Sequence, residues 1–154
     1  MSNKRKKILL MSDDLRMTSG IARMSREIVE GTIHKYDWVQ ISGAVQHPDK
    51  GKIVKIESDD HFKLPDSASI TLYPVDGYGS PDVLKEVMAM ENPDAILHFT
   101  DPRFWIWLYH MEHEIRQSIP IMYYNIWDDL PDPMYNTNYY RSCDLLMGIS
   151  RQTY

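Results

Sequence analysis

The stretch of sequence that decides the fold is KILLMSDDLRMTSGIARMSREIVEG, residues Lys7–Gly31. It begins with the apolar run Ile8–Met11, which is typical of a strand buried on both faces. A polar loop follows over Ser12–Gly20, and apolar residues then recur at helical spacing until Gly31, a residue type that often ends helices. Strand, polar loop and helix form the first unit of a parallel α/β sheet, whose ligands bind at the carboxyl ends of the strands.

The rest of the chain repeats this alternation of strands and helices. Apolar strand patterns recur at Trp38–Val45, Ile70–Val75, Ala95–Phe99, Ile121–Tyr124 and Leu145–Ile149. Helical patterns begin at Ser80-Pro81, cover Phe104 to Ile115 and cover Met134 to Arg141. The sequence therefore predicts one α/β domain over residues 1–154, with an open, mostly parallel sheet of about six strands and helices on both faces.

One segment, Gln46 to Ser69, differs from this pattern. It is charged and is interrupted by two prolines and a glycine, so we expect an excursion outside the core sheet. Within it, Lys52–Glu57 (KIVKIE) is a candidate for a short edge strand, because lysine is common on exposed sheet edges.

Composition narrows the class of protein. The 154 residues are 43% hydrophobic, which is enough for one globular core, and no apolar run reaches the roughly 18 residues of a membrane span. Peripheral contact with a membrane stays open. The net charge is −5, and about −9 without the basic tail Lys4–Lys7, which argues against a general nucleic-acid binder. A single cysteine, Cys143, excludes an internal disulfide and fits a cytoplasmic protein.

Polar side chains and glycines concentrate where the predicted strands end. Because the carboxyl ends of parallel strands meet at one edge of a sheet, these residues are candidates for a shared binding crevice. For any one of them, a turn residue chosen for its geometry is the alternative. The set comprises Asp13, Asp14, Ser19, Gly20, Asp76, Gly77, Tyr78, Gly79, His98, Thr100, Asp101, Asn125, Trp127, Asp128, Asp129 and Ser150.

Two nucleotide-binding motifs are missing from the sequence. No Gly-x-Gly-x-x-Gly follows the first strand, and no Gly-x-x-x-x-Gly-Lys-Ser/Thr occurs, so neither the usual dinucleotide fold nor a P-loop is supported. A phosphoacceptor receiver domain is an alternative, because Asp13-Asp14 follows the first strand and Asp76 is available as phosphoacceptor. The Lys-Pro that a receiver needs after a later strand is missing, since the strand at Ile121 runs into Asn-Ile-Trp-Asp.

Two further patterns favour structural roles. His110, His113 and Glu114 share a helix face, but their order is not His-Glu-x-x-His and no third ligand is evident, so a solvated face is favoured over a metal site. Trp105, Trp107 and Tyr109 offer an aromatic platform for a sugar, but aromatic stripes at helical spacing usually pack in the core. We expect no metal and no cofactor.

Several motifs, taken in order, resemble the N-terminal domain of GT-B glycosyltransferases, most closely family 4. They are SDDLRMTSGIARMSREIVEG, DAILHFTDP, IPIMYYNIWDDLPDP and CDLLMGIS. Asp94, Ala95 and His98 match an Asp-hydrophobic-hydrophobic-His strand, Trp127-Asp128 takes the position of a His-Asp pair, and Cys143-Asp144 to Ser150 matches the last strand. The first loop has Ser19-Gly20 where the family usually has paired glycines, and Trp127 replaces the usual histidine.

The resemblance implies a Rossmann-like half of a GT-B enzyme that moves a sugar from a nucleotide-sugar donor to an acceptor hydroxyl. Asp128 or Asp129 would then position or deprotonate the acceptor hydroxyl, and the Gly20 N–H would face the diphosphate. Substrate-binding candidates are Ser19, Gly20, Arg16, Arg23, His98, Thr100, Asp101 and Trp127.

The resemblance also implies partners. The donor site of such enzymes lies in a C-terminal domain, which this sequence lacks, so we expect the chain to be the acceptor-side half of a longer hexosyltransferase-like protein and inactive alone. The acceptor would be a glycan, lipid or protein. A non-catalytic receiver-like or ligand-binding module is the alternative function, and a scaffold without a ligand is a third.

Overall fold

Seven strands form one mixed sheet in the computed structural model, which describes residues 4–44, 46, 48–127, 129–131 and 133–151. The order across the sheet is β3-β4-β2-β1-β5-β6-β7, and every neighbouring pair is parallel except β3 with β4. The strands are β1 Lys6–Asp13, β2 Tyr36–Gly43, β3 Val54–Ile56, β4 Ile70–Pro74, β5 Ala95–Phe99, β6 Ile121–Asn125 and β7 Leu145–Gly148. The mostly parallel α/β fold is confirmed, with seven strands rather than six.

The additional strand is β3, which lies inside the predicted edge strand Lys52–Glu57 and pairs antiparallel with β4 at one end of the sheet. The segment after it also reaches the core, because Phe62 and Leu64 are buried against the sheet together with helix residues. The charged excursion 46–69 is therefore anchored at both an edge strand and a core contact. The sequence hides this contact, because Phe62 and Leu64 are isolated apolar residues within His61-Phe62-Lys63-Leu64-Pro65.

Helices cover both faces of the sheet, as the alternation of elements predicts. Helix α1 (Gly20–Thr32) packs on one face through Val29, and helix α2 (Pro81–Glu91) packs on the other through Leu84 and Val87. Ser80 caps α2 by accepting a hydrogen bond from the Val83 N–H, as its position before a proline predicts. No helix in the described ranges is long and apolar enough to cross a bilayer.

The two later helical patterns form shorter pieces than their periodicity predicts. The first is a 3₁₀ turn, Pro102–Trp105, followed by helices α3 (Ile106–His110) and α4 (Glu112–Ile115). The second is a 3₁₀ turn, Met134–Asn136, followed by α5 (Thr137–Arg141). Trp105 and Tyr109 lie in the core, so the structural interpretation of the aromatic stripe is confirmed for these two residues.

Strand β1 runs through the middle of the sheet. Leu9 and Met11 contact the α2 side of the core, whereas Ile8 and Leu10 contact the α1 side. Both sets are nearly inaccessible to solvent, which explains why the strand reads as a continuous apolar run rather than an alternating one. The strand delivers Asp13, its last residue, to the carboxyl edge of the sheet.

Candidate functional site

The sheet changes direction beside β1. From β1 the chain proceeds to β2 and β4 on one side, and it then returns to β5, which pairs with the other side of β1. Such a reversal separates the loops that follow β1 and β5 and leaves a crevice between them, where ligands of open α/β sheets bind. The candidate site is this crevice, which we call the switch crevice: the loops after β1, β4, β5 and β6.

A buried polar network holds the loop after β1. Gln40, fully buried on β2, accepts hydrogen bonds from the Leu15 N–H at 3.1 Å and from Ser42 Oγ at 2.9 Å. Its amide nitrogen donates to the Asp13 carbonyl at 2.7 Å and to Ser12 Oγ at 3.2 Å. The amide therefore uses both its donors and its acceptor to fix the backbone from Ser12 to Leu15, which makes the start of the loop rigid.

Arg16 stabilises the loop after β1 by binding carboxylates. Its guanidinium binds both oxygens of the buried Asp14, with Nε–Oδ1 at 3.0 Å and Nη2–Oδ2 at 2.9 Å, and contacts Asp49 at 3.0 Å. The Arg16 backbone N–H also donates to Asp14 Oδ1. These hydrogen bonds raise the pKa of Arg16 and lower that of Asp49. The predicted substrate ligand thus ties the loop to the excursion 46–69.

Asp13 and Ser19 close the other end of the loop. Ser19 Oγ donates to Asp13 Oδ2 at 2.7 Å and accepts from the Ala22 N–H at 3.0 Å, which makes Ser19 the N-cap of α1. Asp13 is only 7% exposed, and burial raises the pKa of its carboxyl although the Ser19 hydrogen bond opposes that shift. Gly20 is exposed, and a Cβ there would contact nothing within 4 Å, so open space lies before the helix.

The turn after β4 brings Tyr78 to the crevice. A Cβ on Gly43 would lie 3.0 Å from the Gly77 carbonyl and 3.1 Å from Tyr78 Cδ1, so glycine lets this turn approach the end of β2. Burial raises the pKa of Tyr78, and the negative charges of Asp13 and Asp101 raise it further. Tyr78 is therefore within electrostatic reach of carboxylates from both sides of the switch point.

The loop after β5 contributes an ion pair and an exposed aromatic ring. Asp101 begins the 3₁₀ turn by accepting from the Arg103 N–H at 2.9 Å, and its carboxylate binds the Arg103 guanidinium. Phe104 is half exposed and stacks on Tyr78, with centroids 4.9 Å apart and planes 2° from parallel. The β4 and β5 loops thus meet through an aromatic pair at the rim of the crevice.

The loop after β6 joins the same rim through aromatic contacts. Trp127 lies edge-on to Tyr135 at 5.8 Å, and the Arg103 guanidinium lies 5.8 Å from the Tyr135 ring. The indole Nε1–H of Trp127 donates to the Asp129 carbonyl at 2.7 Å. Asp129 is exposed and its side chain accepts from the Leu130 N–H. Asp128, the other predicted catalytic carboxylate, lies outside the described residues.

His98 and Thr100 lie beneath the surface of the crevice. His98 is completely buried, stacks on Tyr123 at 4.9 Å and hydrogen-bonds Tyr109 Oη through Nδ1 at 2.7 Å. Burial lowers the pKa of His98 to about 3, so its ring is neutral at physiological pH. Thr100 is also buried, and its carbonyl accepts a hydrogen bond from Tyr123 Oη. His98 and Thr100 therefore lie in the core beneath the crevice.

The structure thus brings part of the predicted set together. The residues at the crevice mouth are Ser19, Gly20, Asp101, Trp127 and Asp129. Arg23 points away from this group, because its side chain is 80% exposed and pairs with Glu27 along the outer surface of α1. Asp13 and Tyr78 belong to the predicted strand-end set but are not among the substrate-binding candidates. In the structure they lie at the switch point, within electrostatic reach of each other.

Three crevice residues were missing from the sequence prediction: Arg103, Phe104 and Tyr135. Phe104 begins the predicted helical pattern Phe104 to Ile115, whereas in the structure it lies in a 3₁₀ turn that exposes it. Arg103 and Tyr135 stand in unremarkable positions of the sequence, and only the adjacency of the β5 and β6 loops makes them neighbours. The signal available in the sequence was the presence of aromatic residues in the segments that follow β5 and β6.

The part of this site that the structure describes does not assemble metal ligands. Among the residues that the structure describes, no three His, Cys, Asp or Glu side chains are grouped to hold an ion. His110 and His113 lie exposed on α3 and α4, and Glu114 pairs with Lys85 at 3.5 Å.

Comparisons with known proteins do not assign the chain to a family. No protein-family model matches it, and no curated protein matches it significantly.

Proposed function

We propose that the chain is the acceptor-binding domain of a glycosyltransferase, acting with a second domain that binds the nucleotide-sugar donor. The observation that carries the proposal is the switch crevice, where Asp13 at the end of β1 and Asp101 in the loop after β5 both act electrostatically on Tyr78, which stacks on the exposed ring of Phe104. Carboxylates accept hydrogen bonds from sugar hydroxyls, and aromatic faces pack against the apolar faces of sugar rings.

The strand order supports this function over a receiver. Leaving aside β3, the parallel strands follow the order β4-β2-β1-β5-β6-β7, which is the 3-2-1-4-5-6 order of the complete Rossmann sheet. Receiver domains have the flavodoxin-like order 2-1-3-4-5, with the third strand beside the first. Here β1 lies between β2 and β5, and β5 is the fourth parallel strand in the chain rather than the third. Asp76, the candidate phosphoacceptor, is exposed and pairs with Lys50.

The charge of the crevice favours binding of a sugar acceptor over binding of a diphosphate. Diphosphates bind at glycine-rich loops and unpaired basic groups, but the first loop has a serine cap, and Arg16 and Arg103 are paired with carboxylates. A neutral or cationic hydroxylated ligand is compatible with Asp13 and Asp101, whereas an anionic one would be repelled.

In this function each crevice residue has a physical role. Aromatic contacts would hold the acceptor ring, and a carboxylate would accept the hydrogen bond of the attacking hydroxyl, which limits its orientation. The carboxylate that faces the reacting hydroxyl is one of the predicted pair, Asp128 and Asp129. Transfer itself requires the donor domain, so binding is the activity to test on this chain.

The test is saturation-transfer NMR on the purified chain with D-glucose, N-acetyl-D-glucosamine and UDP-glucose. We expect the neutral sugars to bind in the millimolar range through their ring protons, and we expect F104A to weaken that binding at least fivefold. The control is M90A, because Met90 is an exposed apolar residue on α2. Phe62 is buried, so F62A would be unsuitable as a control. M90A should bind like the wild type.

Two results would contradict the proposal. One is tight binding of UDP-glucose with no binding of the neutral sugars, which would make the crevice a nucleotide site. The other is a Mg²⁺-dependent acyl phosphate on Asp76 after incubation with acetyl phosphate, which would favour the receiver alternative.

A further inference from the structure

We propose that the acceptor carries an amine, as in an amino sugar, and that its ammonium group binds the carboxylate of Asp13. This inference rests on the proposed acceptor site and specifies its substrate class. It starts from an imbalance of charge at the end of the central strand.

Asp13 is buried without a cationic partner. Among the described residues, the only hydrogen-bond donor to its carboxylate is the neutral hydroxyl of Ser19, and no lysine, arginine or histidine forms an ion pair with it. Only 7% of the residue is exposed. A buried carboxylate without an opposite charge is costly to the fold, and such groups are ordinarily paired, so a ligand that supplies the missing charge is the natural partner.

The neighbouring cations are committed elsewhere. Arg16 binds both oxygens of Asp14 and also contacts Asp49. Arg103 binds both oxygens of Asp101. Redirecting either arginine toward Asp13 would leave another carboxylate, one of them completely buried, with a weakened pair. The chain therefore does not neutralise Asp13 by a simple rotamer change.

A hydroxyl would satisfy the Asp13 carboxylate oxygen to which no described residue donates, but it would not neutralise the charge. An ammonium group does both, and hydrogen bonds between ionised groups are roughly twice as strong as neutral ones. The negative charges of Asp13 and Asp101 both act on Tyr78, which indicates that this part of the crevice has a negative potential.

The experiment compares D-glucosamine, N-acetyl-D-glucosamine and D-glucose on the wild-type chain by NMR titration at about pH 6.5 and low salt, where the glucosamine amine is largely protonated. The acetylated sugar keeps the ring and removes the charge. We expect glucosamine to bind at least tenfold more tightly than either neutral sugar, and we expect added salt to reduce the difference.

The variant D13N keeps an oxygen for the Ser19 hydrogen bond and removes the charge. It should reduce the preference for glucosamine to less than twofold, whereas D60N, a charge removal at an exposed residue of the excursion, should retain it. The wild-type comparison needs no variant, so it remains decisive even if D13N folds poorly.

The outcomes separate the two proposals. Equal binding of the three sugars would overturn the amine assignment and leave the acceptor site intact. A glucosamine preference that persists in folded D13N would overturn the role of Asp13. No binding of any sugar at tens of millimolar would overturn both this inference and the proposed function.

Discussion

Ser19 Oγ lies 2.7 Å from Asp13 Oδ2 and 3.0 Å from the Ala22 nitrogen, so one hydroxyl both caps helix α1 and holds the last side chain of strand β1. The two roles are compatible because a hydroxyl donates one hydrogen bond and accepts others. The carboxylate at the switch point and the start of α1 are thereby coupled.

Removing that hydroxyl should destabilise the fold. We expect S19A to lower the free energy of unfolding by about 1–2 kcal/mol, because it removes both the N-cap and the one donor that the described residues supply to the Asp13 carboxylate. Urea denaturation measures the change. S118A, at an exposed serine whose side chain makes no hydrogen bond among the described residues, should change stability by less than about 0.5 kcal/mol. Equal effects of the two substitutions would contradict the coupling.

Removing the charge of Asp13 should stabilise the chain while altering its binding. Burial raises the pKa of this carboxyl in the folded state, so the ionised group costs stability that is absent below the unfolded pKa of about 3.9 and grows as pH rises through the folded pKa. We expect D13N to raise the free energy of unfolding by about 1 kcal/mol at neutral pH, with the gain vanishing in acid. Thermal unfolding at several pH values tests this, and a loss of stability at neutral pH would contradict it.

Arg16 and Arg23 form a matched pair, since both are predicted substrate ligands on the same segment. R16L should destabilise the fold by about 2–4 kcal/mol because it weakens the pairing of the buried Asp14. R23L should change stability by less than about 0.5 kcal/mol, because its pair with Glu27 is exposed. Urea denaturation distinguishes them. A stable R16L with weakened sugar binding would instead support Arg16 as a direct ligand.

His98 should make the protein sensitive to acid. Its pKa falls to about 3 in the fold, so the unfolded state, with an ordinary pKa of about 6.5, binds the proton first as pH decreases. Its contribution to stability is therefore complete above about pH 6.5 and is lost between that pH and about 3, by up to about 1.4 kcal/mol per pH unit. H98F should flatten this slope relative to H34F, an exposed histidine. Identical slopes would contradict a buried neutral imidazole.

Local patterns in the sequence predict the order of strands and helices along the chain, because burial on both faces requires apolar runs and buried helix faces require a 3.6-residue period. Ile8–Met11 and Ala95–Phe99 are examples that lie within β1 and β5. The same patterns fail for Phe62 and Leu64, whose burial depends on contacts with α1 from distant sequence, and for Phe104, whose 3₁₀ turn breaks the helical period.

The sequence by itself determined the fold class and the edge of the sheet at which polar residues gather, since both follow from periodicities of a few residues. Tertiary structure alone decided which of those residues meet. The reversal of strand order beside β1 brings Asp13 and Asp101, which are 88 positions apart in the chain, within electrostatic reach of Tyr78. The fold also brings Asp49 to Arg16, 33 positions away. Charge compensation depends on distances in space, and a linear pattern does not contain them.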